Sequence, residues 1–257
     1  MTFPPPAPPP SSSPLPPPPP PLQLPSGPPA RWRDHRGLVL ALTVCFGVML
    51  VSSALLAIAL ANRISVIHDV RGGDFTNILQ RAQDADDYVS AASSLFVLVQ
   101  VVIVVLFIVW MFRAAKNNEA LGRRNPRFGP GWAIGSWFIP IANLAIPVLI
   151  VQDLWRGGDA SRPRGDAHWR TAPGSWLVGW WWAAWLVSLL RFSYAGAGLH
   201  DSGSLDDLET SNTVALVGVV VLAVAAVLAL LVVRNLSRRQ LDALRVQRAA
   251  YEAAPGV

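Results

Sequence analysis

Four stretches of the chain are unbroken apolar runs, at 37–61, 89–112, 175–195 and 212–233; the segments between the first three bear arginines, and 196–211 bears none. Each run has at least 21 residues and no proline. A bilayer core of ~30 Å takes about 20 helical residues, so each run is long enough to cross. The pattern predicts an all-α integral membrane protein with four transmembrane helices.

A fifth apolar stretch behaves differently. Residues 128–147 read FGPGWAIGSWFIPIANLAIP, with prolines at 130, 140 and 147 and Asn143 between the last two. Pro140 has no N–H for the carbonyl of Ser136, and its ring clashes there, so a helix begun at Gly131 stops or kinks. About nine residues precede the break and about a dozen follow it; at 1.5 Å per residue neither part covers ~30 Å. The expectation is a proline-broken re-entrant or interfacial helical element over 131–156. The alternative is a complete but kinked span.

Charge chooses between them. If 131–151 enters and leaves on one face, 17 Lys and Arg residues fall on the side of both termini and 3 on the other. A fifth crossing gives 12 against 8, a weak bias. Basic loops stay cytoplasmic, so the four-span arrangement is favoured, in the cell membrane, with both termini cytoplasmic.

Composition agrees. The chain of 257 residues is 52% hydrophobic and only 14% charged, where soluble domains carry about 25% charged residues. Its one cysteine, Cys45, lies in an apolar run, so no disulfide framework exists. The basicity is almost all arginine, Lys116 being the one lysine. These arginines flank apolar runs, which assigns them to membrane orientation and not to nucleic acid. Residues 1–30 hold 16 prolines and read as a disordered, polyproline-rich cytoplasmic tail without the apolar core of a signal peptide. The tail is a solvated tether or a dock for a polyproline-binding protein partner. Residues 31–240 form the membrane domain and 241–257 a basic cytoplasmic tail.

Chemistry-bearing positions are few. Trp110 suits the membrane interface, and Arg113 and Lys116 mark the cytoplasmic side, with Gly122 a natural helix C-cap. Arg113, Lys116 and Arg123 together would suit anionic lipid head groups. Gly131 and Gly135 form a G-x-x-x-G pair that allows close helix approach. Trp132 and Trp137 are expected at the interface or filling packing gaps. Five tryptophans lie within 176–185, and Trp180, Trp181 and Trp182 point around the whole helix. Gln100 and Arg191 are the intramembrane polar residues, and such residues are candidates for function or helix–helix adhesion. Arg191 either pairs with Gln100 or reaches outward to Asp201, Asp206, Asp207 or Glu209. The four histidines are scattered, and no HExxH, G-x-S-x-G, P-loop or CxxC occurs. Nothing points to catalysis, a metal or a cofactor.

The strings WMFRAAKNNEALG, FGPGWAIGSWFIPIANLAIP and DLWRG resemble the bacterial membrane-protein family catalogued as domain of unknown function 4328. The elements that carry the resemblance are Trp110, Arg113, Ala114 and Asn117; then Pro130, Gly131, Trp132, Gly135, Trp137, Phe138, Pro140, Ala142, Asn143, Leu144 and Pro147; then Leu154 and Trp155. It covers roughly 37–240, including an LSRRQ stretch after the last run. The resemblance implies a multi-span membrane protein and no established activity. The expected function is a non-enzymatic membrane interaction or organising module. The alternative is a small transporter or channel-like protein with its site at the broken helix, around Pro140–Asn143.

Overall fold

The computed structural model describes the backbone of residues 31–196 and 204–253, and side chains over 31–189 and 204–253. The proline-rich stretch 1–30 and Asp201, one of the acids considered for Arg191, fall outside the described residues, as does the side chain of Arg191. No strand occurs among the described residues. The helices are α1 (Arg36–Arg71), α2 (Ile78–Ala120), α3 (Trp132–Gly135), α4 (Pro140–Asn143), α5 (Ile146–Gly157), α6 (Trp176–Gly196) and α7 (Leu205–Glu252).

Three of them, α1, α2 and α7, are long and apolar enough to cross a bilayer, where the sequence predicts four. The expected third run corresponds to α6. Its stretch with described side chains, Trp176–Leu189, is a shorter apolar helix. The helix itself runs 21 residues, Trp176–Gly196. The other runs sit inside helices much longer than themselves. The basic segment expected as a tail after 240 continues α7 as helix to Glu252, supported by good helix formers and an Arg245–Asp242 pair at 3.0 Å.

α1 shows why these helices are apolar all round. Leu42, Phe46, Met49, Ser53, Leu56 and Leu60 recur every three or four residues and are buried. Leu40, Val44, Val48, Val51, Leu55 and Ile58 repeat at the same spacing and are exposed. A helix with an apolar outer face as well as an apolar inner one matches a lipid surrounding. Thr43, Ser52 and Ser53 return their hydroxyls to carbonyls of the preceding turn, so they bring no unpaired donor into the apolar zone.

α1 packs along both α2 and α7, and α6 packs along α7. Ala225, Ala226 and Ala229 are buried on α7, small residues that admit close neighbours. Among the described residues α6 makes no close backbone approach to α2. Aromatic side chains fill the gap between them. Phe107 of α2 meets Trp137 and Trp181 at centroid distances of 6.0 and 5.4 Å. Trp182 and Trp185 stack at 4.5 Å. Trp180, by contrast, is exposed.

The two ends of the bundle differ. At one end α1 closes against the start of α7, where Arg71 bonds Asp206 and, at 2.5 Å, Glu209, and His68 lies 2.9 Å from Glu209. Arg81 pairs with Asp69 in the same region. Two of the four acids considered for Arg191 are thus engaged by α1. The other end holds the start of α1, the ends of α2 and α7, and the whole connection from Arg123 to Ser175.

That connection is broken as its prolines require. α3 is a single turn. Ile139 is extended, with φ −103° and ψ 113°. Pro140 then opens α4 and Pro147 lies in the first turn of α5, positions where a missing N–H is harmless. The three pieces hold 4, 4 and 12 residues, and none is long enough to cross a bilayer by itself. The indole N–H of Trp182 reaches across from α6 to the carbonyl of Leu144, at 3.3 Å, one of the backbone groups freed after α4. The G-x-x-x-G expectation fails here. A Cβ added at Gly131 or Gly135 meets nothing within 4 Å, so no helix approaches either glycine closely.

Candidate functional site

α2 ends at Ala120, and Gly122 takes the left-handed conformation at φ +76° that closes the helix. The N–H of Arg123 bonds the carbonyl of Asn118, as a helix-terminating loop requires. The last turns of α2 bury Trp110, Ala114, Asn117, Asn118 and Leu121. Three of these side chains carry polar groups, and each one is engaged.

Trp110 is fully buried and donates its indole N–H to Ser237 Oγ of α7 at 3.0 Å. It therefore ties two helices together, which corrects its reading as an interface anchor. Asn117 clamps the chain before α1. Its Oδ1 accepts from the N–H of Arg33 at 2.8 Å, and its Nδ2 donates to the carbonyl of Arg33 at 3.0 Å and to His35 Nδ1 at 2.8 Å. Arg113 adds a bond to the carbonyl of Asp34 at 3.2 Å. The bond from Asn117 fixes His35 with its proton on Nε2. That atom is buried without a partner. Burial holds the His35 pKa below its ordinary value.

Asn118 joins three helices. Its Oδ1 accepts from Gln240 Nε2 of α7 at 2.8 Å, and its Nδ2 donates to the carbonyl of Asp153 in α5 at 3.3 Å. Gln240 also reaches the carbonyl of Ala114 at 2.9 Å. Gly157 is what lets α5 sit there, since a Cβ at that position would lie 2.2 Å from Asn118 Nδ2. Beside this junction the guanidinium of Arg239 lies over the Trp155 ring, 4.5 Å from its centroid.

Arg123 closes the assembly. Its side chain donates to the carbonyls of Gly157 (2.9 Å), Pro163 (2.7 Å), Asp159 (3.0 Å) and Arg162 (3.0 Å). The planar fork of arginine suits four converging acceptors, and lysine could not span them. Burial lowers its pKa from the arginine value, against the nearby carboxylates of Asp166 and Asp159, but a guanidinium stays charged. Arg123 is thus removed from the expected head-group site with Arg113 and Lys116. Lys116 is itself paired with Glu119 at 2.9 Å.

Of the other positions singled out, Trp132 is half exposed and meets Phe128 at 6.0 Å. Trp137 fills the gap between α2 and α6, as a packing residue should. Pro140 and Pro147 start helices. Asn143 Oδ1, Trp137 Nε1 and Ser136 Oγ are buried without a hydrogen-bond partner. The Gln100 side chain makes no hydrogen bond among the described residues and, with Trp137, lines a cavity.

The sequence reading missed Asn118, Asp153, Ser237 and Gln240 as partners of the α2 end. The signal was present in part. NNEALG, DLWRG and LSRRQ were each noted as strings, and the fold brings all three to one junction.

Two outcomes follow. Gly157→Ala should lower unfolding stability by about 2 kcal/mol, because displacing Asn118 breaks two buried hydrogen bonds, whereas Gly135→Ala should cost nothing. Thermal midpoints in one detergent compare them. His35 binds its proton less readily when folded, so its contribution is fully present above pH 6.5, the ordinary value, and declines as pH falls from there towards the folded pKa. The midpoint should drop across that window, and His35→Gln should flatten the drop.

No curated protein and no solved structure matches the chain. A family model does, that of Domain of unknown function (DUF4328), over residues 76–238. That range contains the end of α2, the broken connection, α5 and the Ser237 position of α7, so the junction just described lies almost wholly within it. The match covers well over half of the sequence, and the chain belongs to this family.

Proposed function

We propose that the protein is a non-enzymatic, multi-pass module of the cell membrane that holds a partner at a basic cytoplasmic platform. One observation carries this reading. The polar side chains at the end of α2, namely Trp110, Asn117, Asn118 and Arg123, are bonded to α7, to α5 and to backbone carbonyls, which suits an architectural role. The basic side chains around them face outward. Arg31, Arg36, Arg124, Arg170, Arg234, Arg238 and Arg248 are exposed and make no ion pair among the described residues. A surface of that sign favours acidic protein or anionic head groups. α7 extends it, running 19 residues past Val233, about 28 Å.

In the proposed topology α6 is the fourth crossing, completed beyond Leu189. Residues 123–175 then lie on the cytoplasmic side with both termini. The gathering of that whole connection at one end of the bundle supports this arrangement, and so does the distribution of arginines.

A second reading is favoured by the three unpartnered polar atoms at Ser136, Trp137 and Asn143. Broken helices are where transporters build sites. A small transporter centred on Pro140–Asn143 predicts that Asn143→Ala abolishes solute flux while insertion is kept. Flux equal to that of the parent would rule this reading out.

Single cysteines in a Cys45→Ser background test the main proposal. A cysteine at Ser161, an exposed position, should react with an impermeant maleimide only after permeabilisation. One at Tyr251, which is 74% exposed, should yield one discrete protein adduct with a photoreactive maleimide, and that adduct should weaken when Arg234, Arg238 and Arg248 become Gln. Labelling of Ser161→Cys from outside sinks the topology. A Tyr251→Cys adduct that ignores the arginines, or no adduct, sinks the platform.

A further inference from the structure

The chain enters α1 through residues 31–35. Among the described residues, the hydrogen bonds that join this segment to another helix come from two residues of α2, Arg113 and Asn117. Asn117 is buried and uses its whole carboxamide. Its Oδ1 accepts from the N–H of Arg33, and one Nδ2 hydrogen goes to the carbonyl of the same residue. These two bonds fix which way the carboxamide faces, because turning it over would set N–H against N–H and oxygen against oxygen. The remaining Nδ2 hydrogen then goes to His35 Nδ1, 2.8 Å away, so that nitrogen must accept.

An imidazolium donates from both nitrogens and accepts at neither. A charged His35 would set its Nδ1 hydrogen against the amide hydrogen of Asn117. Its Nε2 hydrogen would still face no partner, in a residue that is 1% exposed. A buried charge without partners is costly, whereas in water both N–H groups are satisfied. We propose that His35 and Asn117 form a proton-sensitive latch, which is closed on neutral His35 and releases residues 31–35 from the end of α2 when His35 takes up a proton. The charged groups around the ring come from three elements and oppose one another. Asp34 of the segment favours the charged form, while Arg113 of α2 and Arg36 of α1 disfavour it, and burial outweighs them all. Opening frees Arg113 from the Asp34 carbonyl and lifts Arg33 from the Phe112 ring, 5.5 Å from whose centroid its guanidinium lies. It also exposes His35 as a new cation at the end of the bundle where α2 and α7 finish.

The inference is independent of the platform reading, since the latch needs no partner protein. The test is hydrogen exchange read by mass spectrometry on the full chain in lipid nanodiscs, with rates corrected for the intrinsic effect of pH. The Arg33 amide reports the latch directly, because Asn117 holds it. The open form binds its proton at the ordinary value of 6.5 and the closed form binds it less readily, so closure is favoured above that value and lost as pH falls through it. Protection over 31–36 should fall roughly tenfold from one pH unit above 6.5 to one unit below it. His35→Gln presents a carbonyl that accepts from Asn117 and does not titrate, and it should keep its protection throughout. Asn117→Asp should invert the response, because a carboxylate accepts from charged His35 as well as from the Arg33 N–H. Parental protection that ignores pH overturns the proposal. So does a fall that persists in His35→Gln, or one that keeps its direction in Asn117→Asp. An equal loss of protection along α1 and α2 would mark general unfolding and overturn the latch as well.

Discussion

The structure depends on one tight contact, the carboxamide of Asn118 seated on the bare Cα of Gly157. Asn118 is short, buried and bonded at both ends, to Gln240 of α7 and to the carbonyl of Asp153 in α5. It has no room to move, and Gly157 has no room for a methyl group. This contact sets where α5 lies against α2 and α7. The position of α5 in turn presents the Gly157 carbonyl to Arg123, and with it the loop carbonyls of Asp159, Arg162 and Pro163. It also fixes the far end of the α3–α4 connection, and so where Trp137 enters the bundle.

The same physical demand runs through the broken connection. Helices that stop and restart leave carbonyls without intrahelical donors, and in apolar surroundings each unpaired group is costly. The molecule answers with long side chains from other elements. Arg123 supplies four bonds to the loop, Trp182 serves Leu144, and Trp169 donates to the carbonyl of Arg124 at 2.8 Å. Gln152 both donates to the carbonyl of Ser175 and accepts from its N–H, each at about 2.7–2.8 Å, and so fixes the start of α6. Within the connection the exceptions, at Ser136, Trp137 and Asn143, lie in and around α3 and α4, and the junction itself keeps Gln240 Oε1 and Arg239 Nε buried without a partner.

Much of the architecture was legible from local rules. Apolar runs without proline gave the long helices, because a helix satisfies its own backbone wherever it is apolar enough to be surrounded by lipid. Pro140 and Pro147 gave the breaks in the connection, and Gly122 gave the end of α2, because these residues act on the backbone within a turn of themselves.

The sequence by itself determined where helices form, where they must stop, and that their outer faces suit lipid. It also contained the strings of the family. What it did not determine was which residues meet. Gly131 and Gly135 carried the recognised close-packing spacing and are open, while Gly157, with no such spacing, takes the close contact. Trp110 had an interface residue's place in the sequence and became a buried tie to Ser237. Arg123 sat among exposed cations and became the centre of a carbonyl cage. In each case the deciding partner lies more than 30 residues away, and spacing along a chain carries no information about partners at that distance until helices are packed.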